Sequence, residues 1–121
     1  MPSQKNTVMI DANVILRYLL RDDEKLYKKA ESLFDEVFSG RRRALIIQPV
    51  IAEVVYVLQK LYKVRREEIA QVLAEFLKMK GVKVQDRDIV LESLEIFRDK
   101  NLDFVDCLLC AYSREYEGGI L

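Results

Sequence analysis

The chain has 121 residues, of which 50% are apolar and 33% are charged. This length suits one domain with one hydrophobic core, and this composition excludes a disordered chain. Basic and acidic residues number 20 each, so the net charge is zero and the surface as a whole is not that of a nucleic-acid-binding protein. Any contact with nucleic acid must therefore be local.

The polar start at residues 1–7 lacks the apolar region of a secretory signal, and no apolar run reaches the roughly 18 residues of a membrane span. We therefore expect a single cytoplasmic domain over residues 1–121, with no membrane partner. Cys107 and Cys110 are the only cysteines, and with no histidine in the chain a zinc site would lack its other ligands. We interpret both as small buried apolar residues in a reducing compartment.

The spacing of apolar residues predicts a regular order of elements. In chain order these are a buried strand (7–10), two helices (14–20 and 24–39), a strand (44–47), two helices (49–62 and 66–80), a strand (82–84), two helices (through 89–97 and 103–116) and the opening of a fourth strand (120–121). Asp22 and Asp23 form the first helix junction and its cap, and Asp86 can cap a later helix. The valines after Pro49 also favour a strand, but the length of that segment favours a helix.

Strands separated by pairs of helices predict an α/β fold, with a parallel sheet and helices on both faces. Functional sites of such folds gather where the strands end, at their carboxyl ends.

Three acids lie in apolar company. Asp11 follows the first strand, Glu53 lies in the apolar part of the third predicted helix, and Asp106 lies between Val105 and Cys107. Because of these apolar flanks, each acid is expected to be partly buried. Burying an ionised carboxylate without a partner is costly, so each acid should have a partner. If the three converge, their repulsion demands a cation, and Mg²⁺ or Mn²⁺ prefers such oxygen ligands.

Simpler interpretations stay open at this point. Asp11 could cap the helix that follows it, Glu53 could face solvent, and Asp103 with Asp106 has the spacing of a capping pair at a helix start. Asn13 could orient a metal-bound water or act only as a turn residue. Asp103 lies one helical turn before Asp106 and could be a further ligand.

Residues 10–17, 51–58 and 102–109, which carry these acids, resemble the three acidic motifs of PIN-domain nucleases. The chain from Thr7 onward is most similar to VapC-type toxins of toxin–antitoxin modules. The resemblance implies a Rossmann-like α/β/α fold with a short parallel sheet, and Mg²⁺- or Mn²⁺-dependent cleavage of RNA. It also implies homodimerisation and inhibition by a cognate antitoxin.

By position, Asp11, Glu53 and Asp106 match the metal-binding and catalytic acids of the family, and Asp103 matches a less uniform acid. The family continues past a last strand to a further acid, whereas this chain stops at Leu121, so we expect it to lack the family's C-terminal segment. In the expected reaction, the metal lowers the pKa of a bound water and neutralises charge on the phosphate.

Several cations lie in predicted loops and could hold the RNA backbone, although such clusters are also common on solvated surfaces. They are Arg41, Arg42, Arg43, Lys63, Arg65 and Arg66.

Two alternatives remain for the function. Haloacid dehalogenase-like phosphatases also have an aspartate after the first strand, but they need a second one where this chain has Asn13. A non-enzymatic dimer or antitoxin-binding module could instead use the apolar residues of the first two helices. These residues are Tyr18, Leu26, Tyr27, Phe34 and Phe38, which in a monomer would be core.

Overall fold

The computed structural model describes residues 6–121. Its elements, in chain order, are β1 (Thr7–Met9), α1 (Ala12–Leu20), α2 (Glu24–Phe38), β2 (Arg43–Ile46), α3 (Gln48–Tyr56), a π-helix (Val57–Leu61), α4 (Arg66–Leu77), β3 (Val82–Val84), α5 (Arg87–Asp99) and α6 (Phe104–Ser113). The predicted α/β fold is confirmed. Most of the polar start, from which we inferred that there is no secretory signal, lies outside the described residues.

The three strands form one parallel sheet in the order β1-β2-β3. Val8 pairs with Ala44, which in turn pairs with Val82. The middle strand is the most enclosed, since Ala44 and Ile46 are fully buried. The prediction that β1 is buried is wrong at its end, because Met9 is 63% exposed where β1 has β2 as its neighbour on one side only.

The segment that could have been a strand is helical. Pro49 occupies the first turn of α3, where its missing N–H costs no hydrogen bond, and the helix continues into the π-helix. Val54 and Val55 are fully buried, so packing against the core overrides the strand preference of valine. The predicted opening of a fourth strand is wrong, because residues 120–121 have no regular structure among those described.

Two predicted caps have different outcomes. Asp23 caps α2, with its Oδ1 accepting a hydrogen bond from the Leu26 N–H at 3.0 Å. Asp86 precedes α5 but does not cap it through its side chain, because its backbone is left-handed with φ of 52° and its carboxylate bonds Tyr112 instead.

None of the helices within residues 6–121 has both the length and the apolar character needed to cross a bilayer.

Candidate functional site

The carboxyl ends of the three parallel strands meet at one edge of the sheet, which we call the carboxyl edge. Asp11 follows β1, Gln48 follows β2 and Asp86 follows β3. The Gln48 side-chain amide donates to the Gln85 carbonyl at 3.1 Å and to the Tyr112 hydroxyl at 2.6 Å, and this hydroxyl donates to Asp86 at 2.7 Å. The ends of β2 and β3 are thus tied together and to α6.

Asp11 caps α1. Its backbone is extended, and its Oδ1 accepts a hydrogen bond from the Val14 N–H at 3.1 Å. The capping interpretation is therefore confirmed, and it leaves the other carboxylate oxygen without a hydrogen bond from any described residue. Asn13, in the first turn of α1, is exposed.

Glu53 lies on the solvent side of α3 and makes no hydrogen bond or ion pair with the described residues. The opposite side of the helix, with Val54 and Val55, faces the core. Helix α3 packs against both α1 and α6. It therefore stands between the helix that Asp11 caps and the helix that carries Asp106.

Asp103 and Asp106 lie at the beginning of α6. Asp103 holds the N-cap position without a side-chain capping bond, and Asp106 lies in the first turn. Both residues line a cleft of about 340 Å³, and on the side of α3 and the π-helix its lining includes Tyr56 and Lys60. We call this space the α3–α6 cleft. The capping pair suggested by their spacing is not formed, so both side chains are free to bind a ligand.

The prediction that the three acids are partly buried is wrong. Asp11, Glu53 and Asp106, and Asp103 with them, are exposed. Most of the apolar residues next to them, but not Val105, are buried or partly buried, because successive helical residues point in different directions around the helix axis. Apolar flanking residues therefore do not bury an acid that starts or faces outward from a helix.

The fit of these acids to a divalent ion is chemical more than geometric. Carboxylate oxygens are suitable ligands for Mg²⁺ or Mn²⁺, and Mg²⁺ commonly keeps several waters and uses one or two carboxylates. The cleft provides such a pair in Asp103 and Asp106. No group of three or more acids or cysteines within residues 6–121 is placed to hold one ion, so Asp11 and Glu53 do not join that pair as a preformed cage.

The predicted RNA-binding cations are dispersed. Arg43 pairs with Thr7 at the beginning of β1, so Arg41, Arg42 and Arg43 lie at the end of the sheet opposite to the carboxyl edge. Arg42 also contacts Glu36 at 3.4 Å. This placement does not bring the three arginines to the acids.

The other three cations follow the π-helix. Lys63 and Arg65 are exposed in the connection to α4. Arg66 instead has a structural role, since its Nη1 donates to the carbonyls of Phe97, Lys100 and Leu102 at 2.7 to 3.1 Å. It ties the beginning of α4 to the loop that leads into α6.

Sequence reasoning missed Tyr56, Gln59 and Lys60 of the α3–α6 cleft. Tyr56 is three residues after Glu53, a spacing that places both on one helical face, so a signal for it was present. The bond from Gln48 to Tyr112 had no such signal, because it joins residues far apart in the chain.

Both cysteines are free thiols, with Cys107 buried and Cys110 half-buried. Burial raises the pKa of the Cys107 thiol to about 11, so this thiol is protonated and unreactive at neutral pH. The interpretation of Cys107 as a small buried residue is confirmed.

Among the aromatic residues of α1 and α2, Phe34 is in the core, Tyr18 and Phe38 are partly buried against the core, and Tyr27 is partly buried. Phe34 is fully buried and packs against Tyr18, with ring centres 4.7 Å apart. Leu26, the aliphatic residue predicted with them, is 42% exposed, and it lines a groove of about 540 Å³ between the two helices with Arg17 and Lys29.

The family described as PIN domain matches residues 8–121. A protein named VapC ribonuclease, from Aquifex aeolicus (strain VF5), is 28% identical over 100 residues, which cover 83% of this chain and 73% of the relative. No solved structure shows a significant match. Because the match extends over nearly the whole chain and the parallel α/β fold agrees with it, the chain belongs to the PIN domain family.

Proposed function

We propose that this protein is a metal-dependent endoribonuclease that hydrolyses RNA phosphodiester bonds, and that it is the toxin of a toxin–antitoxin module. The observation that carries the proposal is the α3–α6 cleft, in which Asp103 and Asp106 face the segment that continues from Glu53. Family membership and the similarity to a VapC ribonuclease support the choice of RNA as substrate.

In this proposal Asp11, Glu53, Asp106 and Asp103 hold one or more Mg²⁺ or Mn²⁺ ions. The bound ion would supply an activated water near neutral pH and neutralise charge on the phosphate. The chain contributes carboxylate oxygens that are exposed and unpaired by any lysine or arginine among the described residues. Asn13, two residues after Asp11, orients a water or a carboxylate through its amide.

The test is cleavage of single-stranded RNA with Mn²⁺ and with a chelator, for the wild type and the Asp11→Asn variant. Asparagine caps a helix about as well as aspartate does, so this variant keeps the bond to Val14 and loses the negative charge. Asp23→Asn is the matched control, because Asp23 caps α2 in the same way and has no proposed role in the reaction.

We expect Mn²⁺-dependent cleavage that falls at least about a hundredfold in Asp11→Asn and is unchanged in Asp23→Asn. Equal cleavage by the wild type and Asp11→Asn would mean that the activity belongs to a contaminant. Absence of Mn²⁺-dependent cleavage by the wild type would refute the nuclease.

The proposal also includes the partners, which are an RNA substrate, a second copy of the chain in a homodimer, and a cognate antitoxin in the cytoplasm. Light scattering of the purified chain tests the dimer, since a monomeric mass at all concentrations would contradict it.

A second candidate is a catalytically weakened module that binds an antitoxin. The groove between α1 and α2 favours it, because Leu26 is exposed there between Arg17 and Lys29. Inactivity together with specific antitoxin binding would select this candidate. Membership of the PIN family gives no support to the dehalogenase-like phosphatase.

A further inference from the structure

The wall of the α3–α6 cleft that faces the acids carries an aromatic ring and a cation. Tyr56, at the end of α3, and Lys60, in the π-helix, line it opposite Asp103 and Asp106. We propose that these two residues bind the nucleotide beside the cleaved bond, with Tyr56 stacking on its base and Lys60 pairing with its phosphate. This inference rests on the proposed function, since it assigns substrate-binding residues to the same site.

Tyr56 has a ring that is available for stacking. It is 59% exposed, and its hydroxyl makes no hydrogen bond with the described residues. Most of the other tyrosines are engaged within the protein by ring packing or hydrogen bonds, namely Tyr18, Tyr27, Tyr62 and Tyr112. An exposed aromatic ring in a cleft is a sequence-tolerant platform for a base of single-stranded RNA.

Lys60 is the cation that lines this cleft. It is exposed and makes no ion pair with Asp103 or Asp106 among the described contacts, although all three line the same space. Carboxylates alone repel a phosphate, so a cation on the opposite wall offsets that repulsion and orients the strand. The cleft is therefore divided into an acidic wall and a wall that can attract RNA.

The π-helix holds this wall in place. The Tyr62 N–H donates to the Val57 carbonyl at 3.2 Å, and the Val64 N–H donates to the Leu58 carbonyl at 2.9 Å. The Tyr62 hydroxyl also donates to Asp22 at 3.1 Å. Helical turns of this type are rare in proteins, and those that occur are frequently found at functional sites. Their bonding here fixes the segment that carries Lys60 against the rest of the protein.

Glu53, Tyr56 and Lys60 follow one another along the helix, and the distance along its axis from the first to the last is on the order of 10 Å. A strand whose phosphate is held near Glu53 and Asp106 would therefore pass Tyr56 before it reaches Lys60. This order assigns the base contact to Tyr56 and the next phosphate to Lys60.

The experiment measures binding separately from cleavage. A short fluorescein-labelled single-stranded RNA of mixed sequence is titrated with the full chain by fluorescence anisotropy, with Ca²⁺ in place of Mg²⁺ and the probe recovered intact. The variants are Tyr56→Leu, Tyr56→Phe and Lys60→Gln. The matched controls are Tyr116→Leu, another exposed tyrosine, and Lys28→Gln, an exposed lysine on α2.

We expect Tyr56→Leu to weaken binding about 5- to 100-fold, and Tyr56→Phe to bind like the wild type, because phenylalanine keeps the stacking face. We expect Lys60→Gln to weaken binding and to reduce the slope of log affinity against log salt by about 0.7, the value for one phosphate of a single strand. Both controls should bind like the wild type.

The inference is overturned if the wild type does not bind this RNA, or if Tyr56→Leu and Lys60→Gln bind it as tightly as their controls. Its failure is distinguishable from failure of the proposed nuclease. A chain that cleaves RNA with unaltered binding in both variants keeps the nuclease and loses the inference. A chain that binds RNA through Tyr56 and Lys60 without cleaving it keeps the RNA contacts of these two residues and loses the nuclease.

Discussion

Arg66 ties three parts of the protein together, and its replacement by alanine should loosen the loop before Asp103 and Asp106. Its Nη1 donates to the carbonyls of Phe97 at 3.1 Å, Lys100 at 3.0 Å and Leu102 at 2.7 Å. Its guanidinium carbon lies 4.3 Å from the centre of the Phe97 ring. These carbonyls belong to the end of α5 and to the loop that leads to Asp103.

The expected loss of stability follows from these contacts. Nη1 carries two hydrogens, so the three carbonyls share two charge-assisted hydrogen bonds. The surroundings are partly exposed, and we therefore assign about 1 kcal/mol to each bond, below the range for buried ones. The cation–π contact adds about 0.5–1 kcal/mol. Arg66→Ala should thus lower the free energy of unfolding by about 2.5–3 kcal/mol.

The assay is urea denaturation followed by circular dichroism, with Arg65→Ala as the matched control. Arg65 is the exposed neighbour and makes no side-chain hydrogen bond or ion pair with the described residues, so its loss should cost less than about 0.5 kcal/mol. Arg66→Lys should be intermediate, because lysine keeps the charge but lacks the planar group that stacks on Phe97.

If Arg66→Ala unfolds at the same urea concentration as Arg65→Ala, the structural role of Arg66 is refuted. A loss of RNA binding in Arg66→Ala, with unchanged stability and retained binding in Arg66→Lys, would instead support our original prediction that Arg66 holds the RNA backbone.

Three further changes test other parts of the fold. Gly81→Ala should destabilise the protein by about 3 kcal/mol in urea denaturation, because φ is +86° and an added Cβ would lie too close to the Val37 carbonyl oxygen. The control Gly118→Ala, with open space around it, should be neutral, and an equal effect of the two substitutions would contradict the predicted clash at Gly81. Tyr112→Phe should cost about 1–2 kcal/mol, because it removes the hydroxyl that connects the ends of β2 and β3 with α6; wild-type thermal stability would show that the connection is dispensable. Burial raises the pKa of the Cys107 thiol from 9.0 to about 11, so the unfolded chain loses this proton first and the free energy of unfolding should fall as pH rises between those values. In Cys107→Ala the free energy of unfolding should fall less steeply over that range, and an equal fall in both proteins would exclude this contribution.

Much of the secondary structure could be predicted from local patterns. The helical spacing of apolar residues located α2, α4 and α5, and Pro49 marked the start of α3, because these signals depend on neighbours within a few residues. The predicted fourth strand at residues 120–121 is absent from the described structure. A local pattern predicts such a strand poorly, because a strand forms only by hydrogen bonding with a neighbouring strand.

The candidate site was predicted less completely. Asp11, Glu53 and Asp106 were selected for their apolar flanks, but all three are exposed. Burial of most flanking residues does not extend to the acids, because successive residues of a helix point in different directions. The roles of these acids in the reaction stay a prediction. Arg66 was selected as a loop cation that could hold the RNA backbone, and in the structure it donates hydrogen bonds to backbone carbonyls.

By itself, the sequence determined the order of strands and helices and the three acidic motifs, because periodicity and motif spacing are written along the chain. Only the tertiary structure decided which side chains meet. It separated Arg41, Arg42 and Arg43 from the carboxyl edge and brought Tyr56 and Lys60 to face Asp103 and Asp106. The physical reason is that such meetings depend on how helices pack around the sheet, and that packing is set by contacts between residues distant in sequence.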